Sequence, residues 1–175
     1  RQRHHGTLVE VHLPLPCADS ATTEITAAPV AHADDEVAAI RVGGGPWRIL
    51  VCDDDPVGRD LIEAKLTALG HVCVAVCDGG AALDRVTQED FDLVITDIEM
   101  PRVDGYMLLD RLREFEREHK RDPVPILAIT AHAGADERER FLKRGFDEYL
   151  AKPFRLRELG KLITVLLPQS SLTRG

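Results

Sequence analysis

Asp53 and Asp54 directly follow the apolar run Ile49-Leu50-Val51-Cys52, and Asp97 follows Phe91-Asp92-Leu93-Val94-Ile95-Thr96. Thr130 closes Ile126-Leu127-Ala128-Ile129, and Lys152 comes just after Glu148-Tyr149-Leu150-Ala151. Three carboxylates, one hydroxyl and one ammonium at the ends of separate apolar runs suit a divalent cation and a phosphoryl group, if those runs lie side by side. Carboxylates crowded together repel and cannot all stay ionised without a counter-cation. Mg2+ is a hard ion that takes oxygen ligands, often one or two carboxylates together with phosphate oxygens. With Mg2+ and Lys152 balancing the charge, one carboxylate can attack phosphorus to form an aspartyl-phosphate. Metal, ammonium and hydroxyl would meet the charge on the transferring oxygens. Taken singly, each group has an ordinary explanation: Asp53-Asp54-Asp55-Pro56 as a helix start, Asp97 as a loop acid, Thr130 as a strand residue, Lys152-Pro153 as a turn. Their joint order of acid pair, acid, hydroxyl and ammonium, each after its own apolar run, is what sets them apart.

The elements that must position these groups alternate regularly from Trp47 onward. Pro56 to Leu69 carries Val57, Leu61, Ile62, Leu66 and Leu69 at helical spacing, and Gly70 supplies a stop. His71–Val76 is strand-like. Asp78–Glu89 reads as a short helix with Ala81, Ala82, Leu83 and Val86 inward. After strand 91–96, Asp104 stands as an N-cap before a helix carrying Met107, Leu108, Leu112 and Phe115. Arg111, Arg113, Glu114, Glu116 and Arg117 are expected on its exposed side, where charges four apart contribute only tenths of a kcal/mol. Pro123 and Pro125 end it before strand 126–130. A helix over Asp136–Lys143 ending at Gly145, a brief strand 148–151 and a last helix 156–167 complete the pattern. Five βα units imply an α/β fold, a doubly wound five-stranded parallel sheet with right-handed crossovers and helices on both faces. In such sheets ligands bind in the crevice outside the strand carboxyl ends.

The bulk numbers agree. A chain of 175 residues accommodates one domain and an extension. A net charge of −8 without a Lys/Arg cluster argues against a nucleic-acid partner. No apolar stretch approaches the ~20 residues of a membrane span, and no signal-peptide pattern opens the chain, so no membrane contact and a cytoplasmic location are expected. Cys17, Cys52, Cys73 and Cys77 form no C-x-x-C pair. They are expected to be small buried hydrophobes rather than metal ligands, with Cys73 and Cys77 in one strand.

With these residues in place, 47–168 resembles the receiver domain of two-component response regulators, a flavodoxin-like fold. The matches are Ile49-Leu50-Val51-Cys52-Asp53-Asp54-Asp55-Pro56, then Thr96-Asp97-Ile98-Glu99-Met100-Pro101-Arg102-Val103-Asp104-Gly105, Ile129-Thr130-Ala131 and Lys152-Pro153-Phe154. The resemblance implies that Asp97 accepts the phosphoryl group. It also implies that Asp54 and Asp97 bind Mg2+ directly, Asp53 binds it through water, and Glu99 binds it through its backbone carbonyl. Thr130 and Ala131 would hold phosphoryl oxygens, Lys152 would pair with the phosphate, and Lys152-Pro153 would be cis. Tyr149 stands where the family carries its switch aromatic, implying that it moves as Thr130 is drawn to the phosphate. Gly58, where many hybrid-kinase receivers have Asn, is expected to loosen the start of the first helix. Glu99 and His132 occupy positions expected to set phosphate lifetime; unchanged decay in Glu99→Ala and His132→Ala would refute that.

Residues 6–16, Gly-Thr-Leu-Val-Glu-Val-His-Leu-Pro-Leu-Pro, resemble the last strand of a histidine-kinase ATP-binding domain. Residues 1–16 are therefore expected to be a remnant of that domain, 17–46 a flexible linker ending in Gly43-Gly44-Gly45-Pro46, and 169–175 a tail. The parent would be a hybrid sensor kinase cut inside its catalytic domain, and the sequence leaves its membrane attachment open. None of the seven histidines sits in a phosphoacceptor motif, so the expected partner is a histidine kinase or histidine phosphotransfer domain, and no independent turnover is expected. Two rival readings use the same residues. A haloacid-dehalogenase-type phosphatase would need an Asp two residues beyond Asp97, where Glu99 stands. A degenerate receiver would serve only as a scaffold, which the complete acid set weakens.

Overall fold

The computed structural model describes residues 46–131, 134 and 137–167. The expected remnant, most of the linker, the tail and His132 lie outside them. The described chain alternates β1 (Arg48–Cys52), α1 (Pro56–Ala68), β2 (Val72–Val76), α2 (Gly79–Gln88), β3 (Leu93–Asp97), α3 (Gly105–His119), β4 (Ile126–Thr130), α4 (Glu137–Arg144), β5 (Glu148–Ala151) and α5 (Leu156–Leu166). All strand pairs are parallel, in the order β2-β1-β3-β4-β5. The order reverses between β1 and β3. With right-handed crossovers, that reversal puts α1 and α5 on one face and α2, α3 and α4 on the other.

Side-chain alternation along the strands sorts the core accordingly. Ile49, Val51, Leu93, Ile95, Leu127 and Ile129 pack with Ile62 and Leu66 of α1 and Leu159 and Ile163 of α5. Leu50, Cys52, Val94, Ile126 and Ala128 pack with Ala82 and Val86 of α2, Leu108, Leu109 and Leu112 of α3, and Phe141 of α4. Near-continuous apolar strands reflect a sheet covered on both faces.

Local signals set most boundaries. The Asp55 carboxylate accepts from the N–H groups of Val57 and Gly58 at 3.3 and 2.9 Å, and Pro56 takes the first helical position. The first turn of α1 is therefore regular despite Gly58, because the cap next to it supplies the order. Asp78 caps α2 and Asp104 caps α3. Gly70 and Gly145 take positive φ at the ends of α1 and α4. Helix α3 stops at a left-handed Lys120, ahead of the prolines.

Val57 and Leu61 are 73% and 52% exposed, and Met107 is exposed as well; α1 buries only Ile62 and Leu66, because just one stripe of it meets the sheet. Three expectations need correction. Glu116 is 5% exposed rather than on the solvent face. Its carboxylate accepts from the Val124 N–H at 2.8 Å and from Arg113 at 2.9 Å. Arg113 reaches on to Asp147, which accepts the Ile126 N–H, so this network pins the start of β4. Asp97 is the last residue of β3 rather than the first beyond it. Finally, Cys77 lies past β2 and is exposed, and Cys73 is only half-buried; Cys52 is buried. Burial, followed by the charge of Asp78, pushes the Cys52 thiol up to about 12, and burial pushes Cys73 to about 12, so both stay protonated.

Candidate functional site

Parallel register brings the strand ends level. Cys52 pairs with Thr96 across β1 and β3, Asp97 with Ile129 across β3 and β4, and Thr130 with Ala151 across β4 and β5. The residues that follow or close each strand therefore share the carboxyl edge at the point where strand order reverses. Asp53, Asp54 and Asp97 each bring a carboxylate oxygen within 4.8 Å of the others. Asp53 is 1% exposed, Asp97 is half-buried and Asp54 is exposed.

Lys152 closes the cluster. Its ammonium donates to Asp97 Oδ2 at 2.6 Å and to Asp53 Oδ2 at 2.8 Å. Burial draws its pKa down, but the hydrogen bonds and charges of the two aspartates outweigh that and hold it above the ordinary lysine value of 10.5. It is placed by its own backbone: the Lys152 N–H donates to the Thr130 carbonyl at 2.7 Å, and the Lys152-Pro153 peptide is cis. Asp53 Oδ1 accepts from the Asp55 N–H at 2.9 Å, and Asp97 Oδ1 from the Glu99 N–H at 3.2 Å. The Asp53 and Asp97 carboxylates are thus each held at both oxygens, one by backbone and one by Lys152.

Close approach of α3 fixes the other side of Asp97. A Cβ on Gly105 would stand 2.5 Å from the Asp97 carbonyl oxygen, so only glycine lets α3 begin directly against the end of β3. A Cβ on Gly58 would meet Asp53 Oδ2 at 2.9 Å. Two positioning residues carry no sequence signature that singles them out. Arg59 donates to the Asp53 carbonyl at 2.7 Å from the first turns of α1, and Thr96 donates to the Asp97 carbonyl at 2.8 Å.

The remaining expected residues lie nearby with different surroundings. Thr130 is 3% exposed at the end of β4, and Ala131 is exposed just beyond it. Glu99 is exposed in the loop after β3. Thr130 and Glu99 both line a cavity of about 400 Å³ with Ile98, Met100, Tyr106 and Phe141. Tyr149, in β5, is half-buried and stacked on Phe141 at 5.7 Å between ring centroids. The donor set of three carboxylates, with no soft ligand among the described residues of the cluster, fits a hard divalent cation.

Fold and site together define a doubly wound, flavodoxin-like α/β protein whose carboxyl edge carries an acidic cluster closed by a lysine. The model of the response regulator receiver domain matches residues 49–164, and the chain belongs to that family. It is 40% identical over 116 residues to the sensor histidine kinase GacS of Pseudomonas protegens, a stretch of 66% of this chain and 13% of that protein. Against the sensor histidine kinase RcsC of Escherichia coli K12 it is 36% identical over 117 residues, 67% of this chain and 12% of the relative. The chain thus spans about an eighth of the length of these relatives. Among solved structures, the receiver domain of a Pseudomonas aeruginosa sensor histidine kinase, with a magnesium ion in its active-site cleft, is 35% identical with a TM-score of 0.60, covering 69% of this chain and 96% of that one. The response regulator TrrA of Thermotoga maritima, in complex with Mg2+ and beryllium fluoride, is 31% identical with a TM-score of 0.60 over 69% of this chain and 99% of that one. No helix among the described residues is long and apolar enough to cross a membrane.

Proposed function

We propose that this receiver domain accepts a phosphoryl group from phosphohistidine onto Asp97, assisted by Mg2+, and then changes conformation or passes the group on. The observation that carries this reading is the clamp of Lys152 across Asp53 and Asp97 inside a three-carboxylate cluster. Asp53, Asp54 and Asp97, with the Glu99 carbonyl, would hold Mg2+, which supplies neutralising charge at the phosphoryl oxygens. Everything else falls to the chain. Its Glu99 N–H and Lys152 contacts fix the Asp97 carboxylate in orientation. One Asp97 oxygen forms the new O–P bond as the P–N bond to the donor imidazole breaks, and the ring leaves with a proton taken from water. Lys152 can then turn its hydrogen bond toward the phosphoryl oxygens, with the Thr130 hydroxyl and the Ala131 N–H completing their partners.

Approach of a donor histidine requires a surface beside this edge. Val57 and Leu61, exposed on α1 next to Asp54, supply apolar contact for the helical module that would carry the histidine. Once Thr130 is drawn toward phosphate, the cavity beside it gives Tyr149 and Phe141 room to repack, which makes Tyr149 the switch. Likeness to sensor histidine kinases, together with the sequence resemblance of residues 6–16 to the end of a kinase ATP-binding domain, supports a parent that is a hybrid sensor kinase, with 17–46 as linker and 47–168 as the receiver. A histidine kinase or phosphotransfer domain is then the partner.

Intact mass after incubation with Mg2+ and acetyl phosphate tests the reading. The native chain is expected to gain one phosphoryl group and Asp97→Asn none. Equal labelling of the two would overturn it.

A further inference from the structure

At the edge opposite the acidic cluster, where β1, β3 and β4 begin, lies a groove of about 850 Å³. Its lining includes Trp47, Phe91, Leu112, Phe115, Leu166 and Leu167. The three aromatic residues are only half-buried, with the Arg48 guanidinium 5.3 Å from the Phe91 ring centroid and that of Arg121 5.4 Å from the Phe115 centroid. The rim is mainly acidic. Arg48 attends to Glu89 and, through its backbone N–H, to Asp92, while Arg121 pairs with Asp90 at 3.2 Å. Asp122 has no ion pair among the described residues.

We propose that the apolar run Val37-Ala38-Ala39-Ile40-Arg41-Val42 of this same chain docks in that groove. Three observations select it over other occupants. First, Pro46 and Trp47 line the groove, so the chain enters the domain there. Ile40 is six residues from Pro46 and reaches at most ~20 Å from it, and Gly43-Gly44-Gly45 permits the reversal. Second, the run offers Val37, Ile40 and Val42 to an apolar floor, whereas Pro168–Gly175, which follows the groove-lining Leu167 in sequence, offers Leu172 as its only large aliphatic side chain. Third, Arg41 is the only Lys or Arg between Arg3 and Arg48, and it would arrive beside Asp122, which has no ion pair among the described residues.

Docking would shorten the free tether ahead of the domain from residues 17–46 to residues 17–36. A shorter tether raises the effective concentration of the carboxyl edge near whatever precedes it. The occupied groove lies at the opposite edge, so docking leaves the acidic cluster open.

Hydrogen exchange on the full chain tests this. Amides of residues 37–42 are expected to exchange at least about tenfold more slowly than those of residues 22–28. Ile40→Asp should abolish that protection, and Asp122→Lys should weaken it. Trp47, the only tryptophan in the chain, reports the same event, because Ile40→Asp should make it more accessible to acrylamide. Exchange at 37–42 as fast as at 22–28 would overturn the proposal. So would protection found at 168–175 instead, or protection that appears only as protein concentration rises, which would mark a second copy as the occupant.

Discussion

Between the sheet and helices α1 and α5 the filling is branched aliphatic: Ile49, Val51, Ile95 and Ile129 against Ile62, Leu66, Leu159 and Ile163. On the other face, small and soft residues such as Cys52, Ala82, Met100 and Ala128 sit beside a ring cluster. There Tyr106, Phe141, Phe146 and Tyr149 meet at centroid distances of 5.7 to 6.1 Å, and the 400 Å³ cavity opens next to Thr130. Interlocked β-branched chains have few alternative rotamers and lose contacts if they move. Stacked rings beside a void can slide with little loss. One face therefore behaves as a frame holding Asp53 and Asp97, and the other as the part able to respond to what happens to them.

The strongest challenge to this contrast is Leu66→Ala, a fully buried position on the aliphatic face. It is expected to cost about 3 kcal/mol in urea unfolding. A loss below about 1 kcal/mol would mean that this face relaxes as readily as the other. Next is the cation. Mg2+ at about a hundred times its Kd should stabilise the protein by about 2.7 kcal/mol. Asp54→Ala, at the head of α1, should remove most of that shift while leaving metal-free stability nearly unchanged. Tyr149→Leu should cost less than about 1 kcal/mol, since volume-similar apolar swaps are tolerated. Its effect should appear instead in hydrogen exchange of α4, which changes on phosphorylation of the native chain and not of this variant. An Asp78→Ala comparison is the finest test. The Ala81 N–H, opposed by partial burial and aided by Arg102, holds the Asp78 carboxyl below its ordinary value of 3.8. A lowered folded pKa gives stability that is present above the unfolded value and lost as pH falls through the folded one. The native chain should therefore lose stability more steeply below about pH 4 than Asp78→Ala.

The strands and the clustered groups were legible because an apolar run ending in a charged residue reports both burial and the strand terminus. Asp55, Asp78 and Asp104 announced helix starts through side-chain chemistry that acts within three residues. What escaped depends on contacts distant in sequence. Helical spacing marked Val57 and Leu61 as apolar, but period alone does not say whether a stripe meets the core or a partner. Glu116 reads as one more charge on a charged helix; only the fold brings Val124 and Arg113 to it and makes it buried. Cys77 looked like a continuation of β2 because a thiol is small enough for a strand, while Asp78 needed that residue as its lead into α2. Arg59 reaches the Asp53 carbonyl by side-chain length, a property that a one-dimensional pattern does not carry.

Among the described residues, five strands and five helices return the backbone to the side from which it came, so Trp47 and Leu167 both line the same groove. Such wiring makes the unit portable. It can be spliced between unrelated neighbours, or swapped among them, without either covalent lead crossing the rim where visitors arrive.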